Sequence, residues 1–534
     1  MLTQQHPRSI ADRASTFLRT RTRAGRSLVR VVDELRPRRV PLHWTNLFGV
    51  VAFACTVVLF VTGVILMFFY APSSERVVYE GAYAPLVGVE VSRAYQSMLD
   101  LSFDVPGGLL LRQLHHWAGL LLPAAIIMQL VVTFFTGAFR RPRKFAWVLL
   151  FLLLIAVLAG GWSGYALPDD MLSGTGLRIV QGIVLAIPVV GTWAASLLFG
   201  GGFPGAIIEN LYLVHVLLVP AAIVVLIAAR ARSGYRIRPP QFAGPGRTED
   251  NVVGEPLLTR GLAKATGLFA AVVGLLLLIS AAVRVAPIWE YGPSDPGNAT
   301  AGSQPDWYTG FLDGALRLVP PGWEFEWFGY TWTLAVLVPL AVVGAFLLLV
   351  MIYPYLDEWV TGDRRDHHIL DRPRNAATRT GIGVAGIVFY GILWAAASAD
   401  VAATALHLSI ESLIVVLQVA LLSGPVLAFQ LTRRICLGLQ RRDRELLLHG
   451  YETGRIVRLP GGGYEEVHGT LDRYERWRIA SFEPVPIAPV RPDADGRIRV
   501  VDRVRERVAR WYLESRSVRP DARALDAPDE ARQH

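Results

Sequence analysis

The sequence predicts an all-α membrane protein, a polytopic bundle of about eight transmembrane helices. Hydrophobic residues make up 52% of its 534 residues. Several apolar runs exceed the roughly 20 residues that cross a bilayer core of about 30 Å. Arginine is concentrated in the segments between these runs. Together these three observations exclude a soluble globular domain.

The predicted spans are the long apolar runs, taken in chain order. Lipid offers no hydrogen-bond partners, so backbone groups must be satisfied within each run, and each run is therefore expected to be a helix. The approximate bounds are 47–70, 110–137, 146–167, 206–230, 262–284, 331–353, 380–399 and 408–432.

Arginine-rich segments predict the orientation, because cationic loops stay on the cytoplasmic side. With eight spans, these segments all fall on one side: they are the arm 1–46, residues 140–143, 230–238 and 363–374, and the start of the tail 433–534. We expect a multi-pass protein of the cell (plasma) membrane with both termini cytoplasmic. Because the basic residues lie beside the spans, an anionic inner leaflet accounts for the net charge of +9, and no nucleic acid partner is predicted.

Two histidines lie inside the apolar runs. His115 is near the outer end of the second span and His215 near the outer end of the fourth. Both spans run from outside to inside in the predicted topology, so the imidazoles lie at similar depth. Two facing helices that each supply an imidazole can ligate the iron of a b-type haem. The alternative is a pair of packed core histidines, although an ionisable group inside the membrane indicates a functional site by default.

Glycines on the same group of helices favour the haem interpretation, because glycine lets a helix backbone approach a flat macrocycle closely. They are Gly49, Gly63, Gly119 and Gly164. The first two are fourteen residues apart, close to four helical turns or about 21 Å. Fourteen residues before Gly164 stands Leu150, which is expected to fill the space that a second, inner haem would need.

Seven further sequence motifs are distributed over roughly residues 40–475. They are PLHW (41–44), RQLHHWAG (112–119), GYALPDDMLSGTG (164–176), LYLVHV (211–216), GPGRTEDN (244–251), PDWY (305–308) and RICLGLQRRD (434–443). In these motifs the chain closely resembles cytochrome b of the quinol:cytochrome c reductase (cytochrome bc) complexes, in its long actinobacterial form with a C-terminal extension. PDWY alone is a weak match, but its place between the fifth and sixth spans makes it specific.

The resemblance implies five parts of the chain. They are a cytoplasmic arm 1–46, a four-helix haem-binding domain 47–230, a cytoplasmic linker 231–261, a C-terminal domain 262–432 with the quinol-site loop, and a cytoplasmic tail 433–534. His115 and His215 match the ligands of the outer, low-potential haem b, and Arg112 matches the arginine beside its propionates. The implied partners are a Rieske iron–sulfur subunit, a c-type cytochrome, a terminal oxidase and a second copy of the complex.

The PDWY motif matches the family's quinol oxidation signature, with Asp in place of the usual Glu. The residues implied to bind quinol, with menaquinol the expected kind, are Pro305, Asp306, Trp307 and Tyr308. Catalytic roles are implied for Asp306 and Tyr308. Quinol oxidation releases protons, and a carboxylate at the site can accept one.

The chain departs from the family where the second haem would be held. Gln129 stands fourteen residues after His115, and Ala229 and Arg230 stand fourteen and fifteen residues after His215. None of these can replace an imidazole, so one haem is predicted. The remaining gap across the membrane, about 20 Å by helix rise, is too long for efficient single-step tunnelling.

Three functions follow from these observations. The first is an electron-transfer subunit that oxidises quinol at the outer face. The second is a divergent paralogue of cytochrome b that serves as a structural or regulatory membrane subunit. The third is a secondary transporter, which eight spans permit, although the sequence has no inverted repeat and no paired broken helices.

Overall fold

The predicted membrane bundle is confirmed by the structure, a computed structural model that describes residues 23–202, 204–295, 297–300, 304–480 and 498–514. Within these residues, eight helices are long and apolar enough to cross a membrane. They are Trp44–Leu66, Gly108–Phe135, Lys144–Ala166, Ile207–Arg236, Leu257–Ala282, Leu334–Thr361, Ala377–Ala397 and Ile410–His449. Each corresponds to one of the apolar runs. Residues 1–22 of the arm and two parts of the tail lie outside the described residues.

Two spans are irregular or longer than the sequence pattern predicts. The fourth consists of α-helices Ile207–Leu213 and Val219–Arg236, joined by a π-helical segment, Val214–Leu218. A similar π segment, Leu257–Gly261, begins the fifth span. The eighth helix runs on past the predicted end of its apolar part at residue 432, because its polar last turns are still helical up to His449.

The first five spans share one apolar core. Its fully buried members include Cys55, Ala118, Ile126 and Leu150, which come from the first, second and third spans. The fourth and fifth spans contribute Ile223 and Leu276. A second layer is formed by the sixth, seventh and eighth spans with the short helix Gly310–Arg317. This helix belongs to the loop between the fifth and sixth spans, which contains the PDWY motif (305–308). This helix therefore fixes the motif against the C-terminal half of the bundle.

The loops that follow the odd-numbered spans contain short elements. The helices are Arg93–Phe103, Met171–Leu185, Gly191–Phe199, Ile288–Tyr291, Gly310–Arg317 and Ala399–Leu406, and a short 3-10 turn covers Ala84–Leu86. The antiparallel strand pairs are Arg76–Val78 with Glu90–Ser92 and Glu324–Trp327 with Tyr330–Thr333. A capping box at Asp170, which accepts from the backbone N–H groups of Leu172 and Ser173, begins the helix Met171–Leu185.

The opposite end of the bundle carries the arm, the linker and the tail. Its elements are the helix Arg23–Leu35, the strand pair Arg39–Val40 with Glu255–Pro256, the parallel pair Gln241–Phe242 with Ile369–Leu370, and the 3-10 turns Trp44–Asn46 and Pro373–Asn375. The tail contains a hairpin, Tyr451–Arg458 with Tyr464–Gly469, and the helices Arg473–Ile479 and Val500–Leu513. The last helix is fixed to the sixth span, because Tyr512 donates a hydrogen bond of 2.5 Å to Asp357.

Candidate functional site

His115 and His215 face each other between the second and fourth spans. Their ring centroids are 6.2 Å apart and the ring planes make an angle of 68°. Two metal–nitrogen bonds of about 2 Å, with one imidazole on each side of the metal, separate the ring centres by about 6 Å. The pair therefore has the spacing that a bis-imidazole iron requires.

Hydrogen bonds indicate which ring nitrogen of each histidine carries the proton. His215 Nδ1 lies 3.0 Å from the Gly160 carbonyl, which can only accept, so Nδ1 carries the proton. His115 Nδ1 lies 2.8 Å from the Thr62 hydroxyl, which itself donates to the Val58 carbonyl and accepts from the imidazole. In both rings the lone pair is then on Nε2. Metal-binding histidines are oriented in this way by a partner on the other nitrogen.

Two of the predicted glycines lie directly against these imidazoles. A Cβ atom at Gly164 would lie 2.6 Å from His215 Cε1, and one at Gly63 would lie 3.2 Å from His115 Cε1. Gly119 lines the same space, although a Cβ there would only touch Leu59 at 3.9 Å. Close approach therefore requires a glycine at position 164 and favours one at position 63, whereas Gly119 is not needed for this reason.

Arg112 lies one turn before His115 and is buried. One of its nitrogens donates to the Ala286 carbonyl at 3.0 Å, and its guanidinium lies 5.7 Å from the Trp289 ring centre. Nε and the other terminal nitrogen have no hydrogen-bond partner among the described residues. A buried cation with free donors beside the histidine pair suits an acidic group, such as a haem propionate.

A cavity of about 420 Å³ extends from the histidine pair to the PDWY motif. Its lining includes His115, His215, Asp306 and Tyr308. The Tyr308 hydroxyl donates to Asp306 Oδ2 at 2.7 Å. Burial, together with the neighbouring Asp306 carboxylate, raises the pKa of Tyr308 well above its usual range, so the phenol stays a donor. The cavity is of a size that holds a drug-sized organic molecule.

The other two motif residues do not line this cavity. The indole of Trp307 donates to the Leu120 carbonyl at 3.3 Å, and the Trp307 carbonyl accepts from the Trp394 indole at 3.1 Å. Pro305 is half-buried at the start of the motif. Trp307 therefore fastens the loop to the second and seventh spans.

Several site residues were missed by sequence reasoning. His116 follows His115 directly in the RQLHHWAG motif, and its Nε2 lies 3.6 Å from Asp306 Oδ1, in the same cavity. The cavity is wide enough to reach both faces of the helix. Gly161 was also missed, although a Cβ atom there would overlap the Tyr308 ring. Its position three residues before Gly164 on the third span was the available signal.

We call the depth of His115 and His215 the outer level, and the depth of Gln129, Leu150, Ala229 and Arg230 the inner level. At the inner level the Gln129 amide lies 3.5 Å from where a Cβ at Gly49 would be. Leu150 is 2% exposed within the apolar core. Ala229 is half-buried, and Arg230 donates to the Ala146 carbonyl at 2.9 Å. The inner level thus offers no imidazole.

Comparison with known proteins places this arrangement in a family. A family model described as cytochrome b (N-terminal)/b6/petB matches residues 120–293. The cytochrome bc1 complex cytochrome b subunit of Streptomyces coelicolor is 45% identical over 456 residues, which cover 85% of this chain and 84% of that one. The subunit of the same name from Mycobacterium leprae is 46% identical over 433 residues, covering 81% and 78%.

A solved structure agrees on the fold. A chain of "Hyperthermophilic respiratory Complex III" superposes with a TM-score of 0.57 and 17% identity, covering 78% of this chain and 98% of that chain. The present chain is therefore a multi-pass, all-α membrane protein of respiratory electron transport. It belongs to the cytochrome b family of the cytochrome bc1 complexes.

Proposed function

We propose that this chain is the quinol-oxidising cytochrome b subunit of a bc-type complex and that it carries one haem b, between His115 and His215. The observation that carries the proposal is the facing imidazole pair at 6.2 Å, with both Nδ1 atoms already hydrogen-bonded. Gly63 and Gly164 give the rings room, and Arg112 has free donors for a propionate. When bound, a b-type haem accepts and passes on single electrons.

We place quinol oxidation in the part of the cavity next to Asp306. A quinol that loses two electrons also loses two protons, and the Asp306 carboxylate accepts one of them. Tyr308 holds Oδ2 of this carboxylate, which leaves Oδ1 turned toward His116 and the cavity. A Rieske iron–sulfur subunit would accept one electron, and a haem held by His115 and His215 would accept the other. Menaquinol is the proposed substrate.

At the inner level we propose no haem. Gln129, Ala229 and Arg230 cannot ligate iron as imidazole does, and Leu150 is packed among Leu153 and Leu154. The chain then has no relay of its own across the inner half of the membrane. Electrons leave the outer level for another acceptor, or a partner chain supplies the missing relay.

The assembly follows from the same proposal. The bc-type complex would include a c-type cytochrome and the Rieske subunit, pair as a homodimer in the plasma membrane, and deliver electrons to a terminal oxidase. The described parts of the arginine-rich arm, linker and tail lie at one end of the bundle, which supports a cytoplasmic location for both termini.

The haem count is tested by a pyridine haemochrome assay and a redox titration of the reduced-minus-oxidised spectrum on the purified protein. We expect about one haem per chain and a single low-spin transition. Two transitions would contradict the proposal for the inner level, and none would contradict the proposal for the outer one.

Turnover is tested with Asp306→Asn in the purified complex. Loss of the proton acceptor should slow quinol-dependent reduction of a c-type cytochrome by about a hundredfold, with the haem spectrum unchanged. Asp295→Asn is the matched control, because Asp295 is an exposed residue of the same loop that does not line the cavity. Equal rates in the two variants would remove Asp306 from the mechanism.

A structural or regulatory paralogue is the second candidate, and the inner level favours it. A chain without an inner relay could retain the scaffold and the outer haem while turning over no quinol. Wild-type complex that binds one haem but reduces no cytochrome c would establish this second function.

A further inference from the structure

A second cavity lies at the end of the bundle opposite the quinol motif. It has a volume of about 360 Å³ and lies between the arm, the third and fourth spans and the start of the fifth. Five arginines contribute to its lining, Arg38, Arg39, Arg143, Arg230 and Arg238. The described residues that line it include no Asp or Glu.

The positive charges around this cavity are only partly compensated within the described part of the chain, where Glu249 and Asp366 lie near Arg143 but do not line the cavity. Arg238 alone forms an ion pair, with Asp250 at 3.9 Å, and both side chains are largely exposed. An exposed pair of this kind contributes little. The other guanidiniums donate to backbone carbonyls, Arg38 to that of Tyr235 and Arg143 to those of Ala138 and His367. Carbonyls satisfy hydrogen bonds but bring no net negative charge.

Arg230 connects this cavity to the missing haem site. It stands fifteen residues after His215 on the same span, and the resemblance implies an inner haem ligand either there or at Ala229. Its guanidinium donates to the Ala146 carbonyl of the third span at 2.9 Å and lines the cavity. A charged side chain within a membrane helix that faces a cavity indicates a functional site.

We infer that this cavity binds a phosphate group, carried by an anionic phospholipid headgroup or by a soluble phosphate compound. Guanidinium groups recognise phosphate with paired, charge-assisted hydrogen bonds. Basic pockets between membrane helices at the cytoplasmic surface bind acidic headgroups. The cavity is also much larger than a single ion requires. This inference goes beyond the proposed function and holds whether or not quinol is oxidised.

Thermal unfolding of the full-length purified chain tests the inference. Phosphatidylglycerol, phosphatidylcholine and inorganic phosphate are titrated separately, and the rise in Tm gives a half-saturating concentration. We expect phosphatidylglycerol to raise the Tm of the wild type and phosphatidylcholine to have no saturable effect. If inorganic phosphate alone gives the full rise in Tm, the natural ligand is a soluble phosphate; if only the lipid does, it is a headgroup.

Two variants and one control locate the effect. Arg230→Gln should raise the half-saturating concentration about tenfold or more, since it removes a charge-assisted contact. Arg39→Gln, at the exposed rim, should give a smaller shift without disturbing the fold. Arg232→Gln is the control, because Arg232 is exposed on the same helix and does not line the cavity.

Equal shifts in Arg230→Gln and Arg232→Gln would indicate diffuse surface charge and overturn the inference. It would also fail if neither phosphatidylglycerol nor phosphate stabilised the wild type more than phosphatidylcholine does. The haem content of all variants should remain that of the wild type, so this outcome is separate from that of the haem proposal.

Discussion

The outer and inner levels of the four-helix half share the same fourteen-residue helical spacing but contain different side chains. On the first span, Gly63 faces His115 at the outer level, and fourteen residues earlier Gly49 faces Gln129 at the inner level. On the third span the corresponding pair is Gly164 and Leu150, the first against an imidazole and the second 2% exposed in the core. The first and third helices are continuous between the two levels, so on these two spans the difference lies in side chains alone.

This comparison teaches that a glycine at haem spacing is not evidence of a haem by itself. Gly49 keeps its place in the repeat, but the side chain opposite is an amide that leaves an ordinary separation of 3.5 Å. At the outer level the glycine, the imidazole and the Nδ1 partner occur together. The combination, and not any one residue, distinguishes the levels.

The largest effect is expected from removing an imidazole at the outer level. His115→Ala leaves a single ligand, so the haem-to-protein ratio should fall from about one to near zero. The inner-level control is Gln129→Ala, which should leave the ratio unchanged. The haemochrome assay measures both variants. A ratio near one in His115→Ala would place the haem elsewhere and abolish the contrast between the levels.

Adding a methyl group to a glycine at each level tests whether the space beside the two ligand positions is used differently. In Gly164→Ala the added carbon would lie 2.6 Å from His215 Cε1, well inside the 3.5–4.0 Å or so of ordinary carbon contact. The ring must move, and haem content should fall by roughly half or more, because ligand geometry tolerates only about 0.5 Å.

Gly49→Ala is the matched control for this methyl group. Its carbon would meet the Gln129 amide at 3.5 Å, so haem content should not change. Alanine also favours a helix over glycine, which removes poor folding as an explanation. Equal loss in both variants would mean that the space around the two levels is used in the same way.

The fold was largely predictable because the bilayer imposes length and composition on each span. All eight runs became helices, and the residues that interrupt them, such as Pro123, do not end them. The structure of the tail was not predictable in this way. Its hairpin Tyr451–Arg458 with Tyr464–Gly469 is almost fully exposed and has no buried face to impose an apolar alternation.

For the candidate site, the sequence predicts the depth of each residue in the membrane but not the contacts between helices. The predicted topology placed His115 and His215 at a common depth on two spans, but contacts between helices depend on rotation and tilt, which one sequence does not fix. Thr62 reaches His115 from another span, and the π-helical turn at Val214–Leu218 resets the direction in which His215 points. His116 was not predicted as a site residue for the same reason.

The smallest effect is expected from removing a hydrogen-bond partner of an imidazole Nδ1, and the two histidines differ in these partners. His115 depends on one hydroxyl, that of Thr62, whereas His215 has the Gly160 carbonyl in addition to the Ser163 hydroxyl. Thr62→Val keeps the shape and removes the partner. It should retain the haem spectrum but weaken haem binding about 10- to 100-fold.

Ser163→Ala is the counterpart on the other ligand, and there the Gly160 carbonyl still orients His215. Haem binding should then change by no more than about twofold, because the Gly160 carbonyl still accepts from His215 Nδ1. Transfer of haem to an excess of an apo-haem-binding protein measures both variants on one scale. If Ser163→Ala loses haem as fast as Thr62→Val, the carbonyl is not the partner that orients His215. The two ligands would then depend equally on a neighbouring hydroxyl.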